Sequence, residues 1–365
     1  MRILIAPDKF KGSLGAKKVG QSIAAGLRTA LPGAELEMIA LADGGEGTTE
    51  AICRAAGGEW IECRAHDALG REIAARYAWL PEKDLAVCEM SAAAGLAQLS
   101  PDERDPLRAS TFGVGEMLLA TLDRAPRQII IGLGGSATND GGFGTARALG
   151  FRFLGHDGRE LSGAVDSLHD LQRIEAPNDL SLPPITAACD VNNPLLGPAG
   201  ATRTFGPQKG ATPEQLEILE RSLARLAEVA ARAFRCDHRN TSGAGAAGGL
   251  GFGLLTFCGA QIRSGFDVVA EAIDLRARIE RADVVITGEG KLDRQTLTGK
   301  GPAGVAQLSR SLGKAVFAIV GQAEEDATVR ELFDGVLTLR GTRPDHSDTA
   351  QMLELRAREL ALRLR

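Results

Sequence analysis

Only nine of the 42 basic residues in this 365-residue chain are lysines, and five of them stand in loops of glycine, aspartate and proline. These are Lys9 and Lys11 in PDKFKG, Lys209 in FGPQKG, and Lys291 and Lys300 in GEGKLDRQTLTGK. A lysine ammonium is a compact point charge suited to neutralising a phosphate. Carboxylates share the same kind of loop: Asp8 beside Lys9, Asp43 and Glu46 in ADGGEG, and Asp293 two residues after Lys291. Mg²⁺ is commonly held by one or two carboxylates together with substrate phosphate oxygens. A third kind of loop follows the apolar run Ile129–Ile131 and Leu133. It contains Gly134, Gly135, Ser136, Asn139 and Asp140, and it leads into a helix-compatible stretch from Phe143. Strand, glycine turn and helix together present backbone N–H groups to an anion. The loop has no Lys-Ser/Thr pair after its glycines, so it is not a P-loop. Its third position after Gly134 is Ala137, so it is not a dinucleotide fingerprint either.

Other motifs are open to plainer readings. ACDVNNP supplies Asp190 and Asn192, but Asn-Pro also marks a turn. GAGAAG, residues 243–248, matches GxGxxG in letters but follows the polar DHRNTSG rather than a strand, so close helix packing is as good a reading as a nucleotide turn. The five histidines show no ligand-type pairing, and no GxSxG nucleophile elbow is present.

Composition narrows the class. Hydrophobic residues are 44%, charged residues 24% and aromatics 4%, with 45 glycines, which suits a soluble α/β protein with many tight turns. A net charge of −5 provides no bulk attraction to nucleic acid or to an anionic membrane. No apolar run approaches the roughly 20 residues of a membrane span. Six scattered cysteines without a CxxC pair, and an N-terminus that runs straight into the strand RILIA, point to the cytoplasm.

The positioning elements follow a βα rhythm at both ends. Strands are expected at residues 2–6 and 35–41, then at 283–287, 315–320 and 335–339, with helices between them. The middle changes character. It has a hairpin around 67–70, strands at 85–89, 129–133 and 185–189, and a capping box, Thr212-Pro-Glu-Gln215, that opens a long helix. The simplest architecture is a discontinuous, doubly wound parallel sheet from residues 1–60 and 280–365, with a second α/β domain of 61–279 inserted.

Lysines, strand-end carboxylates and glycine loops are what phosphoryl transfer needs: cations on the phosphates, a carboxylate-held metal and a group to receive the acceptor's proton. IAPDKFKGSL, ADGGEGT, GLGGSATNDGG, ACDVNNPLLGPAGA, FGPQKGA and GEGKLDRQTLTGKGP, in that order and across essentially the whole chain, resemble the bacterial type-1 glycerate kinases. The resemblance implies a flavodoxin-like domain interrupted by a second α/β domain. It also implies ATP- and Mg²⁺-dependent phosphorylation of D-glycerate, with the 2-hydroxyl as acceptor, by a monomer or homodimer. On that basis Lys9, Lys11 and Lys300 are expected to hold glycerate carboxylate or the transferring phosphate, with Lys209, Lys291 and Asn192 as further ligand contacts. Asp43, Glu46 and Asp293 are the expected Mg²⁺ ligands. Asp190 is the first candidate to accept the hydroxyl proton and Asp8 the second. Gly134, Gly135, Ser136, Asn139 and Asp140 are expected to face a ligand cleft. The competing readings are a 3-kinase, a kinase of another small hydroxy acid, and a non-catalytic protein that senses a nucleotide or sugar acid.

Overall fold

The structure, a computed structural model, describes residues 1–10, 12–42, 44–293, 301–324, 327–339 and 346–364. The chain divides into two compact units, residues 1–43 with 266–365, and residues 44–265.

The split unit is a five-stranded parallel sheet in the order Gly335–Thr338, Ala315–Val320, Val284–Gly288, Arg2–Pro7, Glu35–Met38. Numbered along the chain, that order is 2-1-3-4-5, the flavodoxin-like form of the doubly wound sheet expected above. Residues 3–7 and Val284–Gly288 are buried, largely apolar runs, as strands covered on both faces must be. Val19, Ile23 and Leu27 recur at helical spacing in Ala16–Ala30 and are all buried. A side chain at Gly26 would lie 2.2 Å from the carbonyl oxygen of Glu354, so glycine there lets this helix touch the helix His346–Arg363. The direction of winding reverses between Arg2–Pro7 and Val284–Gly288. Ligands of such sheets bind outside the carboxyl ends at that reversal.

The other unit has a six-stranded mixed sheet, ordered Gln261–Arg263, Ile185–Ala188, Gln128–Gly132, Leu85–Glu89, Glu72–Leu80, Glu59–His66. The first four strands are parallel, and the last two form the antiparallel hairpin expected around residues 67–70. The capping box is present: Thr212 Oγ1 accepts from Gln215 N, and Gln215 Oε1 accepts from Thr212 N, opening the helix Pro213–Phe234.

The division between units falls elsewhere than residues 60 and 280, for identifiable reasons. The helix Thr48–Ala55 belongs with the six-stranded sheet because Glu89, at the end of one of its strands, accepts from Gly47 N and Thr49 N. Residues 266–279 belong with the five-stranded sheet. Phe266 packs on Gly304, where a side chain would come within 2.4 Å of its ring, and Arg278 is ion-paired to Glu37.

The GAGAAG motif is a packing device. A side chain at Gly248 would stand 1.9 Å from the Thr138 carbonyl oxygen, and one at Gly253 would stand 2.7 Å from the Gly141 carbonyl oxygen. Ala247, Gly248 and Gly249 all take left-handed backbone conformations at the start of the helix Ala246–Cys258. The segment is shaped to lie backbone against backbone on residues 138–142.

Candidate active site

In the six-stranded unit the parallel strands end together at one edge, and four loops leave it. The strand Gln128–Gly132 runs into Leu133 and the glycine loop. Glycine is required at this start because a side chain at Gly132 would meet Gly44 O at 2.7 Å, and one at Gly134 would meet Gly45 Cα at 2.4 Å. Gly44 and Gly45 therefore lie backbone to backbone against Gly132 and Gly134, joined by Gly134 N donating to Gly44 O at 3.4 Å.

Asp140 and Asn139, expected to face a ligand cleft, are buried with their side chains hydrogen-bonded inside the unit. Asp140 is buried and accepts from Thr111 N and Thr111 Oγ1 (2.8 Å each), Gly142 N (3.0 Å) and Gly144 N (3.1 Å). It ties the start of the helix Phe143–Ala148 to the start of the helix Phe112–Thr121. Burial pushes its carboxyl up, and those donors pull it back. Asn139 is also buried, and its Nδ2 donates to Thr202 Oγ1 at 3.0 Å. Local sequence shows two polar residues in a loop, but only long-range packing reveals that both turn inward.

Lys209, expected as a further ligand contact, is buried as well. It is 1% exposed, and its ammonium donates to Ser136 Oγ at 2.7 Å and Thr138 O at 2.6 Å. Burial brings its pKa down to about 7, against the opposing pull of Asp140. This has a consequence for stability. The folded protein releases the Lys209 proton near pH 7, whereas the unfolded chain keeps it up to the ordinary lysine value of 10.5. Between those limits the unfolded state binds more protons, so stability should rise with pH, by up to about 1.4 kcal/mol per pH unit. Urea unfolding from pH 6 to 9 should show that slope in wild type and lose it in Lys209→Met. Parallel curves for the two proteins would remove the titration from Lys209.

Ser136 remains 8% exposed, at the carboxyl edge of the sheet. Asp190 follows the strand Ile185–Ala188 at the same edge, half-buried, its Oδ1 accepting from Gly265 N at 2.9 Å. Asn192 is exposed and accepts from Ser242 Oγ at 2.9 Å. Glu46 is exposed. The half-buried carboxylate beside residues 47–49 is instead Glu89. Its Oε1 accepts from Thr49 N at 2.7 Å and its Oε2 from Gly47 N at 3.2 Å and Ser91 Oγ at 3.3 Å. Burial raises the Glu89 carboxyl while these donors at a helix N-terminus lower it. Sequence reasoning passed over Glu89. The available signal was its place as the acid that ends LAVCE, equivalent to Asp190 after ITAAC.

In the split unit, Asp8 and Lys9 leave the strand Arg2–Pro7 at the reversal point. Asp8 N donates to Gly288 O at 2.8 Å, and Lys9 N donates to Asp8 Oδ1 at 2.6 Å. Gly301, with φ of +46°, opens the helix Pro302–Ser311, and a side chain there would lie 3.1 Å from Asp8 Oδ2. The helix N-terminus is thus next to a carboxylate of this unit. Lys291 is held in ion pairs with Asp293 at 3.1 Å and Glu324 at 2.9 Å. Lys11, Asp43 and Lys300 lie outside the described residues. Among the described residues no group of three or more His, Cys, Asp or Glu side chains is placed to hold a metal, and no helix is long and apolar enough to cross a membrane.

A 2-1-3-4-5 sheet with an acid and a lysine at its reversal point, next in sequence to a unit carrying a glycine loop and a strand-end acid, makes a two-unit α/β protein whose loop residues are chemically suited to anionic ligands. The chain belongs to the glycerate kinase family, whose family model matches residues 3–362. It is 43% identical to the glycerate kinase of Bacillus subtilis (strain 168) over 330 residues, covering 90% of this chain and 86% of that one. It is 40% identical to the glycerate 2-kinase of Escherichia coli (strain K12), covering 90% and 87%. A crystal structure assigned to glycerate kinase 2 from Salmonella typhimurium LT2 matches with a TM-score of 0.87 and 40% identity, covering 100% of this chain and 98% of that chain.

Proposed function

We propose that the protein transfers the γ-phosphoryl group of ATP to the 2-hydroxyl of D-glycerate, giving 2-phosphoglycerate and ADP. The observation that carries this reading is the 40% identity, over 90% of the chain, to a relative named glycerate 2-kinase. The residues present are chemically suited to it. Asp190, its carboxylate oriented by Gly265 N, would accept the hydroxyl proton as the new oxygen–phosphorus bond forms and the bond to the ADP oxygen breaks. Lys9 would meet an anionic oxygen at the reversal point of the split unit's sheet, with Lys11 and Lys300 in the same role. Asp8, next to the N-terminus of the helix Pro302–Ser311, is the alternative proton acceptor.

The chemistry that Mg²⁺ would supply when bound is positive charge to offset that of the phosphates. Glu46, exposed and able to share a hydrated ion, fits such a cation brought in with the nucleotide. Asp293 fits once Lys291 gives up its ion pair. Asp43 completes the proposed set. Six free cysteines are consistent with work in a reducing cytoplasm.

An enolase-coupled assay decides the regiochemistry. With D-glycerate, ATP and enolase but no mutase, 2-phosphoglycerate is consumed directly and the enolase signal should appear without a lag. ADP release with no enolase signal until mutase is added would assign the 3-hydroxyl instead. Tight glycerate or nucleotide binding with no ADP release would favour a sensing protein.

A further inference from the structure

We propose that Lys209 is a positioning residue: its ammonium, sealed beneath the glycine loop, turns the Ser136 hydroxyl into a dedicated donor toward an anionic oxygen of the ligand. The inference rests on the kinase reading for the ligand's identity but on separate geometry for the device.

A hydroxyl has one proton and two acceptor lone pairs. In this site Lys209 Nζ donates to Ser136 Oγ at 2.7 Å and to Thr138 O at 2.6 Å, so a charged lysine occupies a lone pair of the serine oxygen. The serine proton is then directed away from the lysine. Ser136 retains 8% exposure at the carboxyl edge of the six-stranded sheet, whereas Lys209 has 1%. The lysine therefore cannot reach a ligand as it stands, and Ser136 is the less deeply buried member of the pair.

The loop is held against movement on both sides of the serine. Ala137 N donates to Ala94 O, Leu96 N donates to Gly135 O, and Gly134 N donates to Gly44 O. A hydrogen bond donated by a hydroxyl that itself accepts from an ammonium is polarised and stronger than one from an isolated serine. If Lys209 loses its proton, the neutral amine offers a lone pair to Ser136, the hydroxyl proton turns inward, and Ser136 presents only an oxygen to the ligand. The device therefore works only while Lys209 is charged. Burial brings its pKa to about 7, and Asp140 is the charged group bearing on it. A bound anion would hold the proton on.

The experiment compares wild type, Ser136→Ala, Lys209→Met and the double variant from pH 6 to 9. D-glycerate is varied at saturating ATP in one arm, and ATP at saturating D-glycerate in the other. The arms distinguish a carboxylate from a phosphoryl oxygen as the acceptor. In one arm the wild-type KM should rise by up to tenfold per pH unit above about pH 7, with kcat changing much less. Ser136→Ala should raise KM about tenfold or more at pH 6.5 and abolish that rise. Lys209→Met should do the same, and the double variant should be no worse than the poorer single one, because both changes remove one device. Additive effects, or a pH-dependent KM that survives in Ser136→Ala, would overturn the proposal. Ser136→Ala alone decides if Lys209→Met does not fold.

Calorimetric titration with D-glycerate and with ATP, each alone, at pH 6.5 and 8.5 separates this inference from the kinase reading. Binding of either ligand that weakens at pH 8.5 through Ser136, without ADP release, sinks the kinase reading and keeps the device. Turnover with KM values independent of pH across all four proteins sinks the device and keeps the kinase.

Discussion

Asp140→Ala should destabilise the protein by about 3–5 kcal/mol, a large fraction of the stability of an ordinary domain. Four hydrogen bonds converge on this carboxylate, from Thr111 N, Thr111 Oγ1, Gly142 N and Gly144 N, in a site with no access to water. Each buried donor left without an acceptor costs about 1–3 kcal/mol, and partial relaxation around the smaller alanine recovers some of the total. Thr111 cannot swing outward to recover its bond. Its Oγ1 also accepts from Thr145 N at 3.0 Å, and its carbonyl accepts from Thr145 Oγ1 at 2.9 Å. The loss should appear in urea unfolding as a lower midpoint with an unchanged slope. A fall below about 1 kcal/mol, accompanied by a large rise in KM, would show instead that Asp140 contacts ligand after all.

Asp190→Asn is expected to lower kcat by about 10²–10⁴-fold, the usual contribution of a positioned general base, and to leave nucleotide affinity within a few-fold of wild type. The amide oxygen of asparagine can still accept from Gly265 N, so the loop after the strand Ile185–Ala188 keeps its anchor. What is lost is the ability to take a proton. Single-turnover rates and equilibrium nucleotide binding, measured on the same preparation, separate the two quantities. Weakened binding with a preserved single-turnover rate would make Asp190 a ligand contact and pass the proton to Asp8.

The fold was legible because its signals are local. Buried parallel strands such as RILIAP and VVITG are short apolar runs bounded by turns, and the capping box at Thr212 is a four-residue pattern with a local mechanism. Reading the βα rhythm at both ends was enough to expect a split, doubly wound sheet. The unit boundaries were not legible at the same resolution. The helix Thr48–Ala55 looks like the fourth element of the opening βαβα run, and it is the acceptor Glu89, forty residues further on, that assigns it to the other unit.

Site residues divide along the same line. Residue types and turns are written locally, so the chain by itself determined the family resemblance, the loops proposed to carry the chemistry and the strand ends from which they start. The direction in which a loop side chain points depends on partners distant in sequence, and only the tertiary structure decided that. Ser136, Asn139 and Asp140 stand within five residues of one another, with similar polarity. Tertiary packing leaves Ser136 at the sheet edge, pairs Asn139 with Thr202, and spends Asp140 on Thr111 and two glycine amides. Lys209 has the look of an exposed ligand contact in FGPQKG, yet it is buried against Ser136 and Thr138 of the glycine loop. The physical reason is that buried polar groups must find partners. The glycine loop exposes carbonyl and hydroxyl oxygens to its own interior, at Thr138 and Ser136, and a lysine 73 residues away in sequence supplies the donor.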